Sequence, residues 1–402
     1  MNIFKLFGAN GSGNVTVIAA IAIVPLLLAA GSAIDYVGAS RLETALQSAV
    51  DAAALAGAAS PSEQNSEKTL STEKFFQSAA EFKNLAPTIT IDEDRVTVAA
   101  AAAYPTSFMK LSGFDSIAVA ATATADPITK PICLLALDNT SSGAINVWGS
   151  TASITAAGCV VHSNSTNASA LKSSSGEIST AEAFCAVGGY SGTEFDPQPR
   201  SICRPAKDPY AALPVPSVSG CDYNNTTIGS GTENLTPGIY CGGLTIGGGT
   251  VNFAPGLYVM KDGELKISGS TAGITGVGVT FYFYGNQAAL TITGGGTIEL
   301  SAPASGPYDG LLFVQNPDYG AGKTSKLNGS SSTKIVGTGY FPSQTLSVGG
   351  NGKFGISSPY MAFVAKTLEF HGNGQIIMNY DAKAAGFNSA QPREYWGTRL
   401  ID

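Results

Sequence analysis

The most reactive groups in this chain are six cysteines, Cys133, Cys159, Cys185, Cys203, Cys221 and Cys241, all inside a stretch of 109 residues. None forms a CxxC pair, and only two histidines, His162 and His371, accompany them. Structural zinc needs paired thiolates or closely spaced imidazoles. The even count therefore points to disulfides in an exported domain, with a pairing the spacing does not reveal. Cys133 in PICLL and Cys159 in AAGCVV, set among apolar neighbours, also suit buried free thiols. Oxygen chemistry has one candidate. In Leu137-Asp138-Asn139-Thr140-Ser141-Ser142, the residues Asp138, Thr140 and Ser142 alternate as hard donors of the kind Mg²⁺ takes, although a polar capping turn is the plainer reading. Acid–base work on sugars needs grouped carboxylates. The 17 Asp and Glu after Pro131 are scattered instead. Asp262 and Glu264, at alternate positions of one expected strand, read as a solvated edge, and His371 is expected at a turn. No nucleophile–base constellation, P-loop or dinucleotide motif is present, so no catalytic residue and no cofactor is expected, and the chain does not read as an enzyme.

The elements that would position these groups begin with Val15–Ile34, twenty uncharged residues within an uncharged run from Leu6. As a helix this is about 30 Å, one bilayer core. Lys5 precedes it, while Asp35 and Arg41 follow, which favours a cytoplasmic N-terminus. Two other readings compete. Gly31-Ser32-Ala33 would suit a signal peptidase, but the apolar part exceeds a signal h-region. A buried core helix is rarely apolar all round for so long. Net charge is −7 with 13% charged residues and no basic patch, so no nucleic-acid partner is expected. Of 48 glycines, 41 follow Pro131, and that region alternates apolar and polar residues between Gly/Ser/Asn turns, the mark of an all-β domain.

In chain order, residues 1–14 form a cytoplasmic N-terminus and 15–34 a transmembrane helix kinked at Pro25. Residues 35–126 form a small α+β module. Its first helix continues to Ala59 with Leu42, Leu46, Ala49, Ala53 and Ala56 as a seam, packed either on its own domain or on another subunit. After a break at Ser60-Pro61-Ser62, residues 66–85 offer a second helix with Leu70, Phe75, Phe76, Ala79 and Phe82 on its apolar face. Strands over 88–91, 95–103 and 117–125 complete the module, the first two joined at Asp92-Glu93-Asp94. Residues 127–131 read as a hinge, 132–390 as the β domain and 391–402 as a C-terminal tail.

The run GNVTVIAAIAIVPLLLAAGSAIDYVGASRLETALQSAVDAAALAGA resembles the N-terminal module of TadG-like proteins, from the TadE/TadG group of tight-adherence (Flp pilus) assembly. The likeness rests on Gly13-Asn14, the mid-helix Pro25, the Gly31–Tyr36 exit, and Leu46 with Asp51, Ala52, Ala53, Ala54 and Leu55. AAAAYPTSFMKLSGFDSIAVAATATA is similar to the second half of that module. The resemblance implies a pilin-like, single-pass bacterial inner-membrane protein whose C-terminal bulk is exported to the periplasm or cell surface, with pilus-assembly or secretion-platform proteins as partners. Processed pseudopilins carry a glutamate five residues after the cleavage glycine. Gly13 here is followed by Asn14-Val15-Thr16-Val17-Ile18, so peptidase processing is not expected. The Asp138 loop resembles the metal loop of von Willebrand A domains, but the alternating strands and helices of that fold do not follow it.

Beyond Ile132, PGIY at 237–240 recurs as PGLY at 255–258, a period of 18, and LSVGGNG at 346–352 recurs as LEFHGNG at 368–374, a period of 22. Such periods suit the coils of a right-handed parallel β-helix; an antiparallel β-sandwich is the alternative, because GGG and NG turns also make hairpins. In a stack of coils Leu346 should lie beside Leu368 and Tyr240 near Tyr258, with Ile239 and Leu257 pointing inward. The chain thus reads as a membrane-anchored exported structural protein of a pilus apparatus. The alternative is a β-helical adhesin that binds glycans, marked by a line of exposed aromatics; an enzyme on polysaccharide is the third reading.

Overall fold

The computed structural model describes residues 13–60, 64–92, 94–269, 273–293, 296–329, 332–387 and 392–401. Residues 1–12 of the expected cytoplasmic N-terminus, Pro61 and Ser62 of the expected helix break and Glu93 of the expected acidic turn lie outside them. A long apolar helix is followed mostly by strands. Contacts divide the chain into two units, residues 1–129 with 396–402, and residues 130–395.

The first unit is built on α1 (Gly13–Ala58), which runs through Pro25 as one helix. It also holds α2 (Asn65–Gln77), β1 (Thr88–Asp92), β2 (Arg95–Pro105) and β3 (Ser116–Ala136), which continues into the second unit. β1 pairs with β2 and β2 with β3, both antiparallel. The period-two alternation of β2 buries Val96, Val98 and Ala100, and β3 adds Val119, Ala121, Ala123 and Ala125. Against them α1 buries Leu46, Val50, Ala53, Ala54 and Ala58, so its seam packs on its own domain. The small side chains let the sheet approach closely, and Gln47 donates to the carbonyl of Thr122 at 3.2 Å. The second helix ends at Gln77, short of the expected Leu85. A separate 3₁₀ turn, Ala80–Phe82, buries Phe82 behind Phe76. Leu70 and Phe75 are exposed, because Lys68, Thr72 and Phe76 take the inner face. Residues 127–131, expected as a hinge, are an unbroken part of β3.

In the second unit every described strand pairing is parallel, apart from a single antiparallel bridge between Tyr360 and Tyr380. The antiparallel sandwich is therefore overturned. Eight strands close a ring of parallel pairings: Gly238–Ile246, Gly256–Lys261, Val279–Tyr284, Leu311–Gln315, Thr333–Phe354, Thr324–Gly329, Leu290–Ile292 and Leu265–Ile267. The ring closes because the first of these pairs with the second and the eighth at different points of its length, and the fifth with the fourth and the sixth. Leu346 lies opposite Leu368 in the expected register of 22, both fully buried.

Two rows run through the unit. Tyr258, Phe281, Phe313, Gly339, Phe363, Leu134, Val161 and Phe184 each pair with the next. So do Ile228, Ile246, Ile267, Ile292, Leu327, Val348, Phe370 and Val147, all of them buried. Neighbours in a row stand about 4.8 Å apart, so like side chains stack and keep water out. These rows correct one expectation. Spatial order does not follow sequence order, because Leu134 pairs with Phe363 on one side and Val161 on the other. A strand near the beginning of the unit and one near its end are thus neighbours within the row. From there the chain runs out to Phe195, opposite Ser179, and returns through Tyr223, opposite Tyr240. A passage without named strands, residues 197–222, links the two ends. The expected C-terminal tail is a strand, Arg393–Ile401.

The PGIY repeat needs a second correction. Ile239 lies opposite Val259, and Ile239 and Leu257 are only partly buried. Tyr240 and Tyr258 point inward instead, their ring centroids 5.9 Å apart. The tyrosines win the inner position because their hydroxyls find carbonyls, Thr236 for Tyr240 at 2.8 Å and Ala254 for Tyr258 at 2.8 Å.

Candidate membrane anchor

On α1, Ile18, Ile21, Ile23, Val24, Leu26, Leu27 and Ile34 are all exposed. Positions 18, 21, 23, 24, 26 and 27 together point around the whole circumference of the helix. A core helix would be covered, so the core-helix reading fails; α1 is long and apolar enough to cross a membrane.

The apolar run ends at Asp35, which is buried. Its carboxylate accepts three backbone hydrogen bonds, from the N–H groups of Ser107 at 3.0 Å, Phe108 at 2.7 Å and Met109 at 2.7 Å. These bonds fix the loop between β2 and β3 against the helix. Gly31 and Gly38, two turns apart on one face, make room for it: a Cβ at either would overlap the Phe108 or Tyr104 ring. Burial pushes the Asp35 carboxyl up, but the bonds from Met109, Ser107 and Phe108 outweigh it and hold the group below its ordinary 3.8. A depressed folded value stabilises the junction fully above 3.8, and that stability is lost as pH falls through the folded value. Asp35→Asn offers one acceptor oxygen where the carboxylate offers two. Amide exchange at Ser107, Phe108 and Met109 should rise in this variant at neutral pH, and in the wild type only on acidification below 3.8. Equal protection in both proteins at neutral pH would refute the clamp. Sequence reading took Asp35 as a flanking charge only; its partners lie some seventy residues on, with no local pattern to announce them.

Asp138 Oδ1 accepts from the N–H of Thr140 at 2.9 Å and of Ser141 at 2.7 Å, a capping turn within its own loop, and Ser142 is exposed. Burial raises the Asp138 carboxyl, and these bonds with nearby Lys366 bring it below its ordinary value. Asp262 and Glu264 are exposed in the connection between two strands, not on one strand, with Asp262 in the left-handed region. His371 is not at a turn. It lies within the strand Met361–Ile377 opposite Gly349, stacks on Trp148 at 5.0 Å and meets Ser347 Oγ at 2.9 Å. The missing side chain of Gly349 leaves room for its ring.

The cysteines pair as Cys133–Cys159, Cys185–Cys203 and Cys221–Cys241, leaving none free. Cys133 and Cys159, which also suited free thiols, are bridged because Ile132 and Val160 beside them are register partners. A site that sequence reading missed lies next to the second bridge. His162 is fully buried with Nδ1 2.6 Å from Glu394 Oε2, a pair 232 positions apart in sequence. Cys185 completes a trio of donor atoms within 4.8 Å of one another. Its sulfur is already bonded to Cys203, so the trio acts as a polar clasp between strands. The aromatic row that would have marked a glycan platform had it been exposed is instead buried: Tyr240, Tyr258, Phe281 and Phe313 all face inward.

The molecule is thus of a definite class: a mainly parallel-β protein carried behind an apolar helix long enough to cross a membrane. Residues 13–60 match the model of the Flp pilus-assembly TadE/G-like family, a range that takes in the whole of α1 and the two residues after it. No curated protein and no solved structure matches the chain.

Proposed function

We propose that this is a membrane-anchored, exported structural protein of Flp (tight-adherence) pilus assembly. Residues 15–34 span the bacterial inner membrane once, residues 35–126 form the TadG-type module, and the bulk lies in the periplasm or at the cell surface. The reading is carried by one coincidence: the segment that matches the TadE/G-like family includes the apolar stretch Ile18–Leu27 of α1, which nothing in its own unit covers. The β body reads as a right-handed parallel β-helix, supported by the parallel rows and the register of 22. Its role is that of a rigid, disulfide-bridged spacer or docking body for other assembly or secretion-platform components.

The test has two parts. In fractionated cells the protein should stay in the membrane pellet through a carbonate wash, and it should bring pilus-assembly or secretion-platform subunits with it when captured from detergent extracts. Recovery as a soluble species beginning near Ile34 would defeat the anchor. Retention without any such partner would defeat the pilus role alone.

A further inference from the structure

The loop that Asp35 clamps carries three large apolar side chains with nothing over them. Leu111 is 76% exposed, Phe114 60% and Phe108 40%. Disorder does not explain this, because the three N–H bonds to the Asp35 carboxylate and the bond from Thr106 N to Asp115 O at 3.1 Å fix the loop at both ends. Water is a poor solvent for such a fixed apolar tip. Its height along α1 identifies what covers it. Phe108 packs over Gly31 and its N–H binds Asp35, so the tip sits level with the last turn of the apolar run. A bilayer that takes up residues 15–34 reaches within about one helical turn, roughly 5 Å, of the loop. The polar groups beside the tip suit the headgroup layer: Lys110 and Asp115 are both exposed and 3.9 Å apart.

We propose that residues 106–115 are a membrane-interface contact, with Phe108, Leu111 and Phe114 entering the boundary between headgroups and acyl chains beside α1. The inference rests on the anchor reading and adds a second attachment to it. A helix alone can turn about its own axis and tilt. A helix with an apolar tip held to one side presents one fixed face of its module to whatever lies along the membrane.

The experiment uses the full-length protein in vesicles of phosphatidylethanolamine and phosphatidylglycerol. Because all six native cysteines are bridged, the new thiol in L111C or F114C can be labelled alone with a bimane fluorophore. Quenching is then read with lipids carrying a nitroxide just below the headgroup. Both labels should lose several times more emission than one at L70C, an exposed position on α2. That helix packs by Thr72 at Gly57, about 39 Å along α1 from Gly31. I23C, read with nitroxides deep in the acyl chains, reports on the anchor by itself. Quenching at Ile23 with none at Leu111 or Phe114 overturns the interface contact and leaves the anchor standing. No quenching at Ile23 overturns the anchor and the contact with it. Equal quenching at Leu70 and Leu111 overturns the contact too, because the loop would then be no closer to lipid than the rest of the module.

Discussion

Replacing Leu368 by aspartate should cost at least about 4 kcal/mol and leave the second unit unfolded under conditions where the wild type is native. Leu368 is fully buried and stands between Leu346 on one side and Ile145 on the other. It therefore belongs to the contact where a late strand of the unit meets an early one. A carboxylate there has no partner in either row, and none of the neighbouring side chains can shift to admit water without breaking the stacking of two coils at once. Leu368→Met, which conserves volume and polarity, should cost less than about 1.5 kcal/mol. Guanidinium unfolding of the two variants separates these outcomes. An aspartate variant within about 1 kcal/mol of the wild type would show that the row is not close-packed.

The three disulfides should matter almost as much. Each closes a modest loop, with sequence separations of 26, 18 and 20 residues, and loops of this size are worth about 3 kcal/mol apiece in the unfolded chain. The double variant Cys185→Ala/Cys203→Ala should lose about that amount, because the bridge secures the passage 197–222 to the coil that holds Phe184. In the wild type, alkylation of the denatured, unreduced protein should label no thiol at all. Six labelled thiols in material never exposed to reductant would sink the argument. A variant as stable as the wild type would place the bridge outside the cooperative unit.

What the sequence reveals of this molecule follows the range of the interactions involved. α1 is legible because its apolarity and length are local properties, and β2 because alternation of valine and alanine is local too. The match of Leu346 with Leu368 is legible because adjacent coils repeat a motif at constant spacing. The inward choice of Tyr240 over Ile239 is less so, since it depends on a carbonyl within reach of each hydroxyl rather than on hydrophobicity. Asp35 with residues 107–109, and His162 with Glu394, were out of reach. In each case the partners come together only after the chain has folded, and neither side carries a motif of its own. The same holds for the order of the strands. Periodicity tells how long a repeat is, not which repeat it lies beside, so the pairing of Phe363 with Leu134 has no local signal.

That neighbouring of Phe363 and Leu134 has a consequence in time. The chain is made from its N-terminus, and the coil at Leu134 is among the first of its unit to emerge, while its partner follows about 230 residues later. Throughout that interval one side of the early strand is a row of unpaired amides and carbonyls above an uncovered apolar surface, the kind of edge that recruits other chains. Covering that edge needs residues 361–377, which pair with Gly337–Phe354 on one side and with Leu134–Ala136 and Ile145–Trp148 on the other. Two nascent chains close together could pair these edges with each other, so an exchanged dimer is the wrong product to expect of this topology.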